Sequence, residues 1–290
     1  MTRCLSWVSV GLENDVPVMC EKPCASTHTG VRYIAGLSDR TGIPVMVPLT
    51  WRREYNIGTR EMLTLADSGI IGEVTGFDAV FRACHIGRYV ENSRWMVEAE
   101  HSGGGCWDNL GIHPLDQGLQ LLGGYQGHEA VRCILGPDAA YKGRTYKDIE
   151  TSADVEVDLP GGKKLRLHVT YDFDTEQNPA PRSFHRELRF TLEGTQGKLA
   201  WEPAWQESGN SGFIDNAITV SDADGHTCTS VGFQVPAIGG YQQSGLEFLR
   251  AVTAYVRSRG TGNELPVPSP IQEFMPVHAL LKEAYRAGGR

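Results

Sequence analysis

The chain has 290 residues, of which 40% are hydrophobic and 21% charged, so it can bury a core and wholesale disorder is excluded. Its 27 basic and 35 acidic residues give a net charge of −8, which argues against broad nucleic-acid binding. No apolar run reaches membrane-spanning length, and the start has no signal-peptide cleavage pattern. Seven cysteines without a C-x-x-C motif indicate free thiols. A cytoplasmic protein with no nucleic-acid or membrane partner is therefore expected.

The first 72 residues alternate short strands with helices. Apolar runs at 16–20 and 43–47 predict buried strands, each followed by a proline. Helices are predicted from a cap at residue 26 or 27 to about residue 40, and over 57–67. Continuous apolar strands between helices are typical of a parallel sheet covered by helices.

The pattern changes after Gly72, which predicts a second domain over 73–290. This domain begins with a long strand at 74–84 and a helix opened by the glycines at 103–105. The segment 153–171 then alternates apolar and polar residues around a Pro-Gly-Gly turn, which predicts a hairpin. Further strands and two closing helices follow. We expect a mostly antiparallel sheet in this part.

The first motif that carries chemistry is Cys20-Glu21-Lys22-Pro23, directly after the first strand. Ligands of open α/β sheets bind beyond the carboxyl ends of the strands. A lysine there can polarise a hydroxyl or carbonyl oxygen, or transfer a proton. The alternative is that Glu21 and Lys22 are solvated charges at a strand end.

The second motif is GGGCWDNLGIHPLD at 103–116. On a regular helix, Asn109, His113 and Asp116 share one face, and Asp108 points about 100° away. His113 suits general acid–base work near neutral pH, and Asp116 either orients its ring or is a surface carboxylate. The alternative is a histidine packed in the core. The spacing fits no familiar zinc pattern, so no metal site is predicted.

Together the two motifs resemble the Gfo/Idh/MocA family of NAD(P)-dependent oxidoreductases, which act mostly on sugars, polyols and related compounds. The resemblance implies α/β plus α+β architecture: a partial Rossmann-like parallel sheet, then a larger domain with a mostly antiparallel open sheet and helices on one face. It also implies a sugar-like substrate and a homo-oligomer formed through the large sheet. The matching segments are CEKP at 20–23, IPVMVPLTWRR at 43–53, SGIIGEV at 68–74, GGGCWDNLGIHPLD at 103–116 and LEGTQGKLAWEP at 192–203.

The resemblance implies roles for the matched positions. Lys22 would contact the reacting hydroxyl and help to place the nicotinamide, with Glu21 and Pro23 shaping the cofactor-facing loop. His113 would act as acid or base at the substrate carbon. Asn109 stands where the family often has Asp; since an amide cannot accept a proton, any relay rests on the other two catalytic candidates, Lys22 and His113.

Further candidates flank these motifs. Arg52 follows the family's next strand and is expected to face the cofactor cleft, unless it is a solvated surface arginine. Arg94, Trp95 and His85 precede the second motif and are candidates to line the substrate pocket, together with Asp116.

A glycine-rich phosphate loop is missing from the sequence. No G-x-G-x-x-G occurs, and Glu-Lys-Pro comes at position 21, whereas the family has it about 90 residues into the chain. The chain is therefore expected to be truncated at its N-terminus, and its binding of NAD or NADP to be weak or absent. A start codon assigned too far downstream, a decayed gene and a genuine short protein remain open.

The function expected from the resemblance is hydride transfer between NAD(P) and a carbinol of a sugar, polyol or related compound, impaired by the truncation. Two alternatives are a relative that hydrolyses glycosides with tightly held NAD, and a non-catalytic binding or assembly module. The sequence does not name the substrate or choose between NAD and NADP.

Overall fold

The computed structural model of the chain describes residues 3–172, 185–203, 213–236 and 240–290. The helices are α1 (Arg3–Glu13), α2 (His28–Thr41), α3 (Ile57–Asp67), α4 (Ile86–Asn92), α5 (Ala99–Ser102), α6 (Ile112–Leu121), α7 (Gly240–Ser258) and α8 (Ile271–Ala287). The strands are β1 (Val18–Met19), β2 (Val45–Met46), β3 (Val74–His85), β4 (Ala130–Leu135), β5 (Asp138–Tyr141), β6 (Arg144–Glu150), β7 (Ser152–Asp158), β8 (Lys164–Asp172), β9 (His185–Gly194), β10 (Gly197–Trp201), β11 (Phe213–Asp222) and β12 (Thr227–Pro236). No helix in these ranges has the length and apolar character needed to cross a bilayer.

The small sheet is parallel, as predicted, but shorter. β1 pairs with β2 through two register positions, Val18 opposite Val45 and Met19 opposite Met46. The prediction that the whole 16–20 run is buried is wrong for Val16 and Met19, which are 53% and 45% exposed. Among the described residues β1 has a sheet neighbour on one side only, which leaves part of the strand open to solvent.

Side-chain caps set the ends of the predicted helices α2 and α3. The Thr27 hydroxyl accepts a hydrogen bond from the Gly30 N–H at 3.1 Å, and Gly42, with φ of 68°, ends α2 in the left-handed conformation. The Asn56 side chain likewise accepts from the Thr59 N–H at 2.9 Å at the start of α3. Both helices are confirmed. They could be predicted because each capping residue directly precedes the helix that it begins.

The large sheet has the strand order β12-β11-β10-β9-β3-β8-β7-β4. Its one parallel pair joins β3 to β8, and its other pairs are antiparallel. The predicted hairpin over 153–171 is confirmed as β7 and β8, which pair from Ser152 opposite Thr170 to Asp158 opposite Lys164. The mostly antiparallel open sheet is thus confirmed.

The two faces of the large sheet differ in chemistry. Phe77, Phe81 and Leu167 point inward and are buried, whereas alternate positions such as Asp78 and Arg166 carry charge on the outer face. The inner face is covered by helices, and α6 lies so close that a Cβ on its Gly118 would meet Leu165 Cδ1 at 2.3 Å. This arrangement confirms a sheet with helices on one face.

One hydrophobic core joins the beginning of the chain to its end. Buried Val31 and Ile34 of α2 belong to the same cluster as Phe274 and Leu281 of α8. A backbone bridge between Met46 and Pro270 also links β2 to the start of α8. The core is therefore continuous across the proposed boundary at residue 72, and the division into domains over 1–72 and 73–290 stays a prediction.

The buried His278 should make stability depend on pH. Burial, together with the neighbouring charges of Lys282 and His28, lowers its pKa to about 3. An unfolded histidine has a pKa of about 6.5. At pH values between the two pKa values, the unfolded chain binds a proton at residue 278 and the folded chain does not, so the free energy of unfolding falls as pH falls. We expect His278→Leu to reduce that dependence by about 1.4 kcal/mol per pH unit, measured by urea unfolding from pH 7 to 5.

The matched control is His226→Gln, which replaces a histidine whose side chain is 80% exposed. It should keep the wild-type slope of unfolding free energy against pH. An unchanged slope in His278→Leu would show that this ring does not remain neutral in the folded state.

Candidate active site

Lys22 and Asn109 meet at the carboxyl end of β1. The half-buried Lys22 ammonium donates to the backbone carbonyl of Asn109 and to its side-chain Oδ1, the latter at 3.2 Å. The Asn109 Nδ2 donates to the hydroxyls of Tyr89 at 3.0 Å and Tyr171 at 3.1 Å. Since an ammonium can only donate, the amide presents its oxygen to the lysine and its NH₂ to the tyrosines. The structure thus brings two of the three predicted catalytic residues into contact.

The segment around Asn109 is not the regular α-helix that we predicted. Residues 107–111 form a π-turn, and α6 begins only at Ile112. The ring of the fully buried Trp107 packs against Gly111, where a Cβ would lie 2.1 Å from the ring. The wider turn changes the angle between successive side chains, so Asn109 does not keep α-helical spacing to His113 and Asp116, which both lie in α6.

The fully buried Glu150 holds the glycine-rich turn in front of this segment. Its carboxylate accepts from the backbone N–H of Gly105 at 3.0 Å and of Trp107 at 2.9 Å. It also accepts from the Tyr285 hydroxyl at 2.7 Å and the Arg290 guanidinium at 3.1 Å. Burial raises the pKa of Glu150, and these hydrogen bonds oppose that shift. A Cβ on Gly105 would lie 2.3 Å from the Glu150 carbonyl oxygen, so this position needs glycine.

His113 lies in the first turn of α6 and is buried, with 4% of its surface exposed. Its ring is tilted 32° against the ring of Trp51, with centroids 5.2 Å apart. Trp51 follows β2, so this contact joins the small sheet to α6. The packing expected of a core histidine is therefore present, and it holds the imidazole in a fixed orientation.

Arg52 and Asp116 form a buried ion pair, so neither is the solvated surface charge considered as an alternative. Arg52 Nε and Nη2 donate to the two Asp116 oxygens at 3.0 and 2.9 Å, and Nη1 donates to Glu273. Burial alone would lower the pKa of Arg52, but Asp116 and Glu273 raise it. The pair ties the loop after β2 to α6 and α8. The predicted roles of Arg52 toward cofactor and Asp116 toward substrate stay predictions.

The remaining candidates lie near the surface. Glu21 is exposed and Pro23 half-buried, and the Lys22–Pro23 peptide bond is cis. Arg94 and Trp95 lie on a 3₁₀ turn, where the Arg94 Nε is 3.2 Å from the Glu98 carboxylate and the Trp95 residue is 51% exposed. The side chain of His85 lies outside those described. Their roles toward cofactor and substrate remain predictions.

The sequence analysis missed the residues that support the site from a distance. Tyr89, Tyr171, Glu150, Lys282 and Tyr285 come from four separate elements, the last two both from α8. None stands in a motif with the residue that it contacts, so no local pattern marks them. Only the alternation along β8, which places Tyr171 on the inner face, gave a usable signal.

Breaking the Arg52–Asp116 pair should destabilise the fold strongly. Arg52→Met leaves a buried carboxylate without its partner, which we expect to cost about 3–5 kcal/mol of unfolding free energy. Urea unfolding at neutral pH measures this loss.

Arg132→Met is the matched control, because it removes an arginine that pairs with Glu156 and Asp158 on the solvent side of the sheet. It should unfold nearly as the wild type does. Equal stability of the two variants would contradict a structural role for the buried pair.

The comparisons with known proteins agree with this architecture. Residues 59–200 match the family model of the GFO/IDH/MocA C-terminal domain. Among solved structures, the aldose-aldose oxidoreductase from Caulobacter crescentus, complexed with glycerol, superposes with a TM-score of 0.71 at 18% identity. That superposition covers 99% of this chain and 75% of the other. The likeness shows a shared fold.

Two curated relatives are sugar dehydrogenases by name. D-xylose 1-dehydrogenase [NADP(+)] from Haloarcula marismortui is 25% identical over 208 residues, which cover 69% of this chain and 51% of the relative. D-apiose dehydrogenase from Rhizobium rhizogenes is 24% identical over 229 residues, covering 74% and 56%. The chain spans about half the length of these relatives. Together with the paired motifs and the fold, the domain model matched over residues 59–200 supports a Gfo/Idh/MocA family oxidoreductase.

Proposed function

We propose that this chain transfers hydride between NAD(P) and a carbinol carbon of a sugar, polyol or related compound. The observation that carries the proposal is the Lys22 ammonium, held by Asn109 at the end of a parallel strand. Names of the relatives, D-xylose 1-dehydrogenase with NADP⁺ and D-apiose dehydrogenase, support a sugar-like substrate and a nicotinamide cofactor.

The donor set at the end of β1 fits the nicotinamide end of such a cofactor and the hydroxyl beside it. Glu21, Lys22 and Pro23 form the loop that would hold this end, and Arg52, in the loop after β2, is the further cofactor candidate. When bound, the cofactor supplies the hydride acceptor or donor. Since the sequence has no G-x-G-x-x-G, no residue of this chain is assigned to the pyrophosphate.

Lys22 and His113 have separate roles at the reacting hydroxyl. The Lys22 ammonium, fixed by two contacts to Asn109, binds and polarises the oxygen. His113 takes or gives the proton, and its contact with Trp51 fixes its orientation. Asn109 transfers no proton, because an amide has no acidic or basic group near neutral pH, and acts by holding the lysine.

Substrate recognition is assigned to Arg94 and Trp95 of the 3₁₀ turn and to Asp116 of α6. Trp95 offers an exposed indole ring that suits the C–H face of a sugar, and Arg94 offers donors for its hydroxyls. Asp116 acts through Arg52, whose guanidinium it holds in a bidentate contact.

The reaction is tested by following nicotinamide absorbance with NAD⁺ or NADP⁺ and a panel that includes D-xylose, D-apiose and polyols. Lys22→Met and His113→Gln should each lower kcat/KM at least about 100-fold, because each removes a group that acts on the hydroxyl or its proton. Lys198→Met, which deletes an exposed lysine of β10 paired with Glu193, should leave the rate unchanged.

Two other outcomes would replace the proposal. Release of the sugar from an aryl glycoside without net NADH would favour a glycoside hydrolase. Absence of any turnover, with no nicotinamide binding by isothermal titration, would favour a non-catalytic binding or assembly module.

We further propose that a second copy of the chain packs on the outer face of the large sheet, as the resemblance implies. Ile134 of β4 is 73% exposed on this face, among charged side chains such as Arg166 and Asp78. Light scattering after gel filtration should report an oligomer that Ile134→Glu shifts toward monomer. Leu265→Glu, in the exposed segment between α7 and α8, should not. A monomeric wild type would rule out this assembly.

A further inference from the structure

A second lysine is linked to the proposed catalytic one through a buried aspartate. Asp108 directly precedes Asn109 in the π-turn and is 1% exposed. Its Oδ2 accepts from the Lys282 ammonium of α8, and the backbone carbonyl of the next residue, Asn109, accepts from the Lys22 ammonium. Burial raises the pKa of Asp108, and the charges of Lys282 and Lys22 oppose that shift. No donor among the described residues reaches its other oxygen, Oδ1.

The position of Lys282 is fixed by several contacts. Besides Asp108, its ammonium donates to the Gly103 carbonyl at 3.1 Å and lies 5.1 Å from the centroid of the Tyr285 ring. The lysine side chain is only 15% exposed. A Cβ on Gly103 would lie 2.3 Å from Asp108 Oδ2 and 3.0 Å from Lys282 Nζ, so the first glycine of the triplet makes room for the pair.

We propose that Lys282 positions the charge of Asp108 and thereby sets the proton affinity of Lys22. While Lys282 holds the carboxylate, its positive charge offsets part of the attraction between Asp108 and Lys22. Without Lys282, the same carboxylate would stabilise the protonated form of Lys22 more strongly. Without Asp108, the positive charge of Lys282 would act on Lys22 unopposed and favour its neutral form.

Other groups also lie around Lys22, and the variants of Lys282 and Asp108 leave them unchanged. Burial raises the pKa of Glu21, its neighbour in the loop after β1, and the charge of Lys22 opposes that shift. Tyr171 of β8 accepts from the Asn109 amide, and burial raises its pKa well above its usual range, so it stays neutral. Asp108 and Lys282 are the charges whose effect on Lys22 these variants isolate.

The consequence for catalysis rests on the proposed function, but the test does not need turnover. Acetic anhydride acetylates a lysine only in its neutral form, so the rate of Lys22 acetylation against pH, measured by mass spectrometry, reports its proton affinity. Lys282→Met should move the midpoint of this curve up by about one pH unit, and Asp108→Asn should move it down by a similar amount. If the wild-type chain shows no turnover while both midpoints shift as expected, the proposed function is overturned and this inference stands.

The controls separate charge from folding. Lys282→Arg keeps the cation and should restore a midpoint near that of the wild type, and Lys198→Met should not move it. Circular dichroism shows whether each variant folds. If Asp108→Asn does not fold, the difference in midpoint between Lys282→Met and Lys282→Arg tests the proposal. Midpoints that stay unchanged, or move in the same direction in Lys282→Met and Asp108→Asn, would overturn the proposal.

Discussion

The carboxylate of Glu150 is the contact on which the candidate site depends. It accepts two backbone N–H groups of the glycine-rich turn, the hydroxyl of Tyr285 and the guanidinium of Arg290. Burying a carboxylate away from water costs free energy unless its oxygens accept hydrogen bonds, and these four donors supply them. In doing so they fix the turn that leads into the π-turn, and through it Asn109, which holds Lys22.

Helix α8 supplies a partner to several buried charges. Glu273 contacts Arg52, Lys282 contacts Asp108, and Tyr285 contacts Glu150. These contacts link the end of the chain to the loop after β2, to the 103–116 segment and to the end of β6. The site is therefore built from stretches that are far apart in sequence. Because buried charges must be paired, removing one partner affects the position of the others.

Local signals explain which parts of the fold could be predicted. Thr27 and Asn56 cap helices within a few residues of themselves, and the Pro-Gly-Gly turn joins two alternating strands. The small strands were predicted too long, because apolar character alone does not show how many neighbours a strand has. The π-turn was missed because its cause, the packing of Trp107 on Gly111 and the N–H contacts to Glu150, includes a residue of another element.

The sequence by itself indicated the family, the type of most elements and three residues to test, Lys22, Asn109 and His113. It could do so because motif spacing and periodicity are properties of neighbouring residues. Only the tertiary structure decided what those residues touch. It made Arg52 and Asp116 a buried pair and turned Asp108 toward Lys282. The physical reason is that a buried charge takes its partner from whichever element packs against it, and residues 52 and 116, or 108 and 282, become neighbours only when the chain folds.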